Sequence, residues 1–203
     1  YKDAMILKDG GRIVRKFPFV PGIDFSGKVI ESEDERFIKD ENIICTGFRV
    51  GEMYYGGFSQ YAKVDSNFLI KNPKNIDSQK SMMLGTAGFT ALQCSFAIKA
   101  REELLLGEKV KDVLVTGATG GVGSIAVMIL SKMGYDVHAV TGKKDKSEYL
   151  KNLGAKNIID RKEFEGESKL LEKGTWDGVV DTVGGSSLTK ILAQVKPNGI
   201  VAS

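Results

Sequence analysis

The chain has 203 residues, 42% hydrophobic and 27% charged, with a formal net charge of +3, an ordinary globular composition that supports a sizeable core and one or two domains. Its lysines are scattered among acids, no apolar run approaches the ~20 residues of a membrane span and no signal peptide opens the chain, so an anionic small molecule is the expected partner, with no nucleic acid and no membrane. Cys45 and Cys94 lie far apart without CxxC spacing, which argues against a disulfide framework or a thiolate zinc site and makes a reducing cytoplasm the expected compartment.

Residues 1–80 carry short β-like runs between glycine, proline and asparagine: Gly27 to Ile30, Asn42 to Cys45, Phe58 to Val64 and Asn67 to Ile70. They predict a β-rich domain. From Ser81 the pattern turns helical through Phe96 and then alternates strand with helix, which puts the domain boundary at 80/81. Strands are predicted at Asp112 to Thr116, Asp136 to Thr141, Asn157 to Asp160, Gly178 to Asp181 and Gly199 to Ala202. Alternation at this spacing predicts an α/β fold with a doubly wound parallel sheet, because each crossover must carry the chain back across one face. The chain opens on Tyr1 and stops at Ser203 directly after a strand-like run, so a fragment cut at both ends is the expectation.

Val113 to Val127 reads VLVTGATGGVGSIAV. An apolar β-branched run enters a turn holding Gly117, Gly120, Gly121 and Gly123, and a helix-capable segment leaves it. A dinucleotide site needs this succession: glycines let backbone N–H groups approach a pyrophosphate, and the helix aims its positive end at that charge. The spacing is one residue longer than GxGxxG unless Gly121 and Gly123 align with its end, so the flanking strand and helix carry the reading. A glycine-rich structural loop is the competing one.

The tip of the next strand chooses the nucleotide. An acid there would bond the ribose 2′-hydroxyl of NAD, but the strand ends Val140-Thr141-Gly142-Lys143-Lys144, with Asp145 only after two lysines. A 2′-phosphate meets a hydroxyl, backbone N–H groups and an ammonium. NADPH is the expected cofactor; lysines that merely solvate a loop are the alternative.

No catalytic group declares itself. The sole histidine, His138, falls within a predicted strand and reads as a packed or edge residue, and one histidine with two unpaired cysteines predicts no metal site. Cys45, Cys94, Trp176, Met82 and Met83 read as packing residues. Thr86 and Thr90 either touch a cofactor or cap the helix after Gly85.

Pro18 to Ile30, PFVPGIDFSGKVI, resembles the medium-chain dehydrogenase/reductase superfamily, whose zinc-dependent alcohol dehydrogenases carry Gly-His-Glu where this chain has Gly22-Ile23-Asp24. The zinc-ligand histidine is missing. With Tyr1-Lys2-Asp3-Ala4, the GTAGFTA stretch from Gly85 to Ala91, the glycine turn and YLKNLGA from Tyr149 to Ala155, essentially the whole chain is similar to the zinc-independent acryloyl-CoA reductase (NADPH) group, also described as quinone oxidoreductases. The resemblance implies a GroES-like catalytic domain over 1–80, truncated at its start, and a Rossmann NADPH-binding domain over 81–203, truncated at its end. It implies cofactor contacts from Thr119, Gly120, Gly121 and Val122 at the pyrophosphate, Thr141, Gly142 and Lys143 at the 2′-phosphate, Arg161 near the adenosine phosphate, and Tyr1 on the nicotinamide side. Lys143 stands where relatives often have arginine, which keeps the charge and loses the planar fork.

The implied reaction is conjugate reduction of acryloyl-CoA to propanoyl-CoA, with hydrogen bonds rather than zinc stabilising the enolate-like oxygen. The proton donor is not identified: a Tyr1 phenol serves that role or orients the nicotinamide or ribose. NADPH-dependent quinone or enone reduction and non-catalytic NADPH binding are the alternatives. A homodimer of the full-length protein is the assembly that the resemblance implies.

Overall fold

Residues 1–9, 13–104, 109–166 and 172–203 are described by the structure, a computed structural model. The chain divides into two units, Tyr1–Thr86 and Ala87–Ser203. The sequence pattern changes at 80/81, where helical periodicity begins, whereas the units part a few residues later inside the helix.

The first unit opens on a helix, α1 (Lys2–Asp9), that the sequence pattern does not announce. Asp3 in its first turn and Lys8 in its last complement the helix dipole, and Ile6 is its buried residue, too little to make a visible stripe. Asp3 Oδ1 accepts from the Gly22 backbone N–H at 2.9 Å, and Lys2 pairs with Glu52. Strands β1 (Asp24–Lys28), β2 (Asn42–Thr46) and β3 (Leu69–Lys71) form an antiparallel sheet in chain order. Val29, Phe37 and Ile43 make its small core, with Phe25 and Leu69 packed against them.

The expected strand from Phe58 to Val64 does not form. The Gly56, Gly57 and Phe58 N–H groups instead bond the carbonyls of Val20, Gly22 and Pro21 at 2.7, 2.9 and 3.0 Å. Phe58 and Tyr61 are 60% and 73% exposed, so the alternation has no face to bury. The run from Asn67 to Ile70 is split by a short 3₁₀ turn, Ser66–Phe68, started by the Asp65 carboxylate, which accepts from Asn67 N–H at 2.9 Å.

Helix α2 (Ser78–Leu104) is longer than the predicted Ser81 to Phe96. Asp77 starts it by accepting from the Lys80 N–H at 2.7 Å. Among the described residues this helix alone is, by length and composition, long and apolar enough to cross a membrane, a point that a count of strictly apolar residues overlooks because its serines, threonines and glycines carry no charge. Gly85, at φ 45° and ψ −149°, interrupts it.

In the second unit, β4 (Asp112–Val115), β5 (Asp136–Thr141), β6 (Asn157–Asp160), β7 (Trp176–Val180) and β8 (Val195–Ala202) form one sheet in the order β6-β5-β4-β7-β8, every pair parallel. Helices α3 (Gly121–Lys132), α4 (Ser147–Asn152) and α5 (Gly185–Leu192) intervene. Val113, Val115, Val127, Leu130 and Val137 are fully buried in one cluster and Leu114, Val179 and Ile191 in another. Burial of each such side chain stabilises the fold by about 1.5–3 kcal/mol. Because the clusters take alternate residues of β4, the strand is apolar throughout, as a sheet covered on both faces requires. The strand order reverses between β4 and β7, which opens a crevice at the carboxyl ends of the strands.

Candidate functional site

That crevice is a cleft of about 540 Å³, within the roughly 300–1,000 Å³ common for ligand pockets. The turn after β4 supplies Thr116, Gly117 and Thr119; the tip of β5 supplies Thr141, Gly142 and Lys143. Arg161, Phe164 and Glu165 after β6, and Val183, Ser186 and Ser187 after β7, complete its walls.

The β4 and β7 turns are tied into one body. Thr116 Oγ1 donates to Asp181 Oδ1 at 2.6 Å and accepts from Thr182 N–H at 2.9 Å; Thr182 Oγ1 donates to the Thr116 carbonyl at 2.9 Å. Asp181 Oδ2 accepts from Gly184 N–H at 2.7 Å. Gly117 has a φ of 55°, and a Cβ there would strike Thr182 Oγ1. A Cβ on Gly123 would strike the Gly117 carbonyl, so α3 packs directly on the turn. Gly120 caps α3 without a side-chain hydrogen bond, and the N–H groups of the first helical turn have no intrahelical acceptor. Such a terminus fits a phosphate.

At the β5 tip the Lys143 N–H donates to Thr141 Oγ1 at 3.0 Å. One backbone donor that the sequence offers to a phosphate is therefore spent, while the Thr141 hydroxyl hydrogen stays available. A Cβ on Gly142 would lie 2.7 Å from Arg161 Nε, so the glycine makes room for the arginine. Arg161 Nε faces Glu165 Oε1 at 3.7 Å, and Lys144 Nζ faces Asp160 Oδ2 at 3.8 Å. The Lys162 N–H on Asp160 holds that carboxyl below the usual carboxylate range, against its burial and with help from Lys144.

Of the residues predicted to touch a cofactor, Thr119, Thr141, Gly142, Lys143 and Arg161 line the cleft. Gly120, Gly121 and Val122 form the N-terminal end of α3, with the Val122 side chain packed on the core. Tyr1 lies in the first unit, ahead of α1, and is 97% exposed. Sequence reasoning missed Phe164, Glu165, Val183, Ser186 and Ser187. A signal for the last three was present in Thr182-Val183-Gly184-Gly185-Ser186-Ser187, a second glycine turn after a strand, since all strands of a parallel sheet end on one edge.

The alcohol dehydrogenase GroES-like domain family matches residues 1–74, and the zinc-binding dehydrogenase family matches residues 121–203. The acrylyl-CoA reductase AcuI of Ruegeria pomeroyi is 46% identical over 100% of this chain and 61% of its own length. The yhdH oxidoreductase of Salmonella enterica, solved in complex with NADP, is 45% identical with a TM-score of 0.91 over 99% of this chain and 61% of that one. Bacillus subtilis yhfP, solved with NAD bound, is 42% identical with a TM-score of 0.89 over 99% and 60%. Quinone-oxidoreductase names also occur among the matched relatives. The chain spans about 61% of the length of the first curated relatives it matches.

The donor set for a zinc ion is not assembled: among the described residues no three His, Cys, Asp or Glu side chains gather. His138 is engaged in packing and hydrogen bonds, with Nε2 3.0 Å from Asp112 Oδ1, Nδ1 3.2 Å from Asn157 Nδ2, and its ring edge-on to Trp176 at 4.9 Å. Cys45 is fully buried; burial first, then the Asp24 charge, pushes its thiol up to about 11. A GroES-like unit ahead of a parallel dinucleotide fold, matched along its whole length by these oxidoreductases, makes this chain a member of the medium-chain dehydrogenase/reductase family.

Proposed function

We propose that the chain supplies the cofactor site of an NADPH-dependent reductase that converts acryloyl-CoA to propanoyl-CoA without zinc. The carrying observation is the convergence in one cleft of the braced glycine turn with an acid-free β5 tip and Arg161. The 46% identity to an acrylyl-CoA reductase supports the substrate.

The chemistry that a bound reduced nicotinamide supplies is a hydride for the β-carbon of the activated alkene. This chain's residues bind and orient. The Gly121 and Val122 N–H groups at the head of α3 meet the pyrophosphate, and the Thr116–Asp181–Thr182 bonds keep the turn from yielding to that charge. The Thr141 hydroxyl, the Lys143 ammonium and the Arg161 guanidinium take the 2′-phosphate. Tyr1 is assigned to the nicotinamide side on the family resemblance. Holding the reactants in one geometry is the largest service such a site offers when no metal polarises the thioester.

A second reading, reduction of quinones or other enones, is favoured by the quinone-oxidoreductase names among the relatives. Nicotinamide absorbance in the full-length protein, with acryloyl-CoA or a small quinone at equal NADPH, separates the two. The expected result is faster turnover of acryloyl-CoA; a strong preference for the quinone selects the second reading, and NADPH binding without consumption of either makes the protein a binding module. A cytoplasmic homodimer of the full-length protein belongs to the same proposal, and sedimentation tests it.

A further inference from the structure

We propose that Glu165 is a specificity-determining residue of the cofactor cleft: its carboxylate offsets the Arg161 charge and holds the preference for a 2′-phosphorylated nucleotide below the level that Thr141, Lys143 and Arg161 would set alone. This inference deepens the proposed function and rests on its NADPH site.

Glu165 lines the same cleft as those three residues. The backbone puts it there. The 3₁₀ turn Arg161–Phe164 follows β6, is anchored by the buried Phe164, and closes with the Glu165 N–H on the Lys162 carbonyl at 3.2 Å. Lys190 Nζ, from α5, donates to the Glu165 carbonyl at 3.2 Å. The acid is thus carried into the cleft by a turn whose position the core and α5 determine, not by its own charge.

Its Oε1 lies 3.7 Å from Arg161 Nε, and among the described residues it is the one carboxylate within 4.0 Å of that guanidinium, while the Asp160 charge acts on Arg161 from further off. Two consequences follow for a nucleotide with a 2′-phosphate. The phosphate must share Arg161 with a carboxylate, and it is repelled by that carboxylate. A nucleotide with a free 2′-hydroxyl meets neither effect. Both side chains are largely exposed, 70% for Arg161 and 61% for Glu165, so water and salt screen the interaction and its size is about three- to tenfold in affinity at low ionic strength.

Calorimetry with adenosine 2′,5′-bisphosphate and with 5′-AMP tests this on the chain itself, because both probes report the adenosine end alone. Glu165→Gln is expected to tighten the bisphosphate about three- to tenfold and to change 5′-AMP less than twofold. The gain shrinks in high salt and in an Arg161→Gln background, and Glu165→Asp keeps wild-type selectivity. Equal tightening of both nucleotides, no change in either, or weaker bisphosphate binding by a variant with an unchanged melting temperature overturns the inference while leaving the NADPH site standing. Wild-type chain that binds neither probe nor NADPH overturns the site and the inference together.

Discussion

Asp24 holds Thr86 with both carboxylate oxygens: Oδ1 accepts from the Thr86 hydroxyl at 2.8 Å and Oδ2 from the Thr86 backbone N–H at 2.9 Å. Thr86 is the first residue past Gly85, whose backbone leaves the helical region. The carboxylate therefore caps a helix that restarts 62 residues further along the chain. The stretches PGIDFSG and GTAGFTA, separate in the sequence, are two halves of one contact in the first unit, in which Asp24 is the capping acceptor and the Thr86 hydroxyl donates to it.

Asp24→Ala removes both acceptors and is expected to destabilise the first unit by about 2–3 kcal/mol in urea unfolding. A Cβ on Gly85 would lie 2.6 Å from Asp24 Oδ2, so Gly85→Ala strains the same contact and its own backbone, for about 1–3 kcal/mol. A double-mutant cycle of Asp24→Ala with Thr86→Ala tests the pairing. Additive losses would show that the two residues do not act on one another.

Gly117→Ala addresses the phosphate turn. Its methyl group would collide with Thr182 Oγ1 at a φ of 55°, which forces either the turn or the Thr116–Thr182 brace to move. NADPH affinity, read by nicotinamide fluorescence, is expected to fall at least about tenfold. Thr182→Ala in the same chain opens the space and recovers part of the loss. Wild-type affinity in Gly117→Ala would remove the turn from the site.

The second unit was legible because its strands are buried on both faces and its glycines sit where strand passes to helix; Asp136 to Thr141 and Asn157 to Asp160 were read to the residue. The first unit was harder. Its strands have three to five residues, too few to show a period, and Phe58 to Val64 alternates without a buried face. Arg161 was visible only through resemblance, because nothing local marks a surface cation whose importance comes from lying over Gly142. Glu165 was invisible for the same reason: its place in the cleft depends on Phe164 being buried and on the α5 contact, neither of which is written near it in sequence.

Asp177 carries a pH prediction. Burial pushes its carboxyl up, but the Asp112 backbone N–H, the Lys196 ammonium and the Lys111 backbone N–H outweigh burial, and its net shift is downward. Both N–H groups donate to Oδ2, at 2.9 Å from Asp112 and 3.0 Å from Lys111, while Lys196 Nζ lies 2.9 Å from Oδ1. A depressed folded value means stability that is fully present above the ordinary 3.8 and is lost as pH falls through the folded value. Asp177→Asn is expected to lose about 2 kcal/mol at neutral pH, and the gap from wild type should narrow below pH 3.8. A gap that stays constant through the acid range would mean that the charge of Asp177 contributes nothing.

Lys143 tests the choice of nucleotide by charge alone. Lys143 lines the cleft, and its backbone N–H donates to the Thr141 hydroxyl, so reversing the side-chain charge leaves this backbone bond in place. Lys143→Glu is expected to raise the dissociation constant for NADPH by about tenfold or more and that for NADH by less than about threefold, since the 2′-phosphate is the only group that distinguishes them. Lys143→Arg restores a planar fork and is expected to favour NADPH further. Equal losses for both nucleotides in Lys143→Glu would show that the lysine only solvates the loop, and the 2′-phosphate would then have to rest on Thr141 and Arg161.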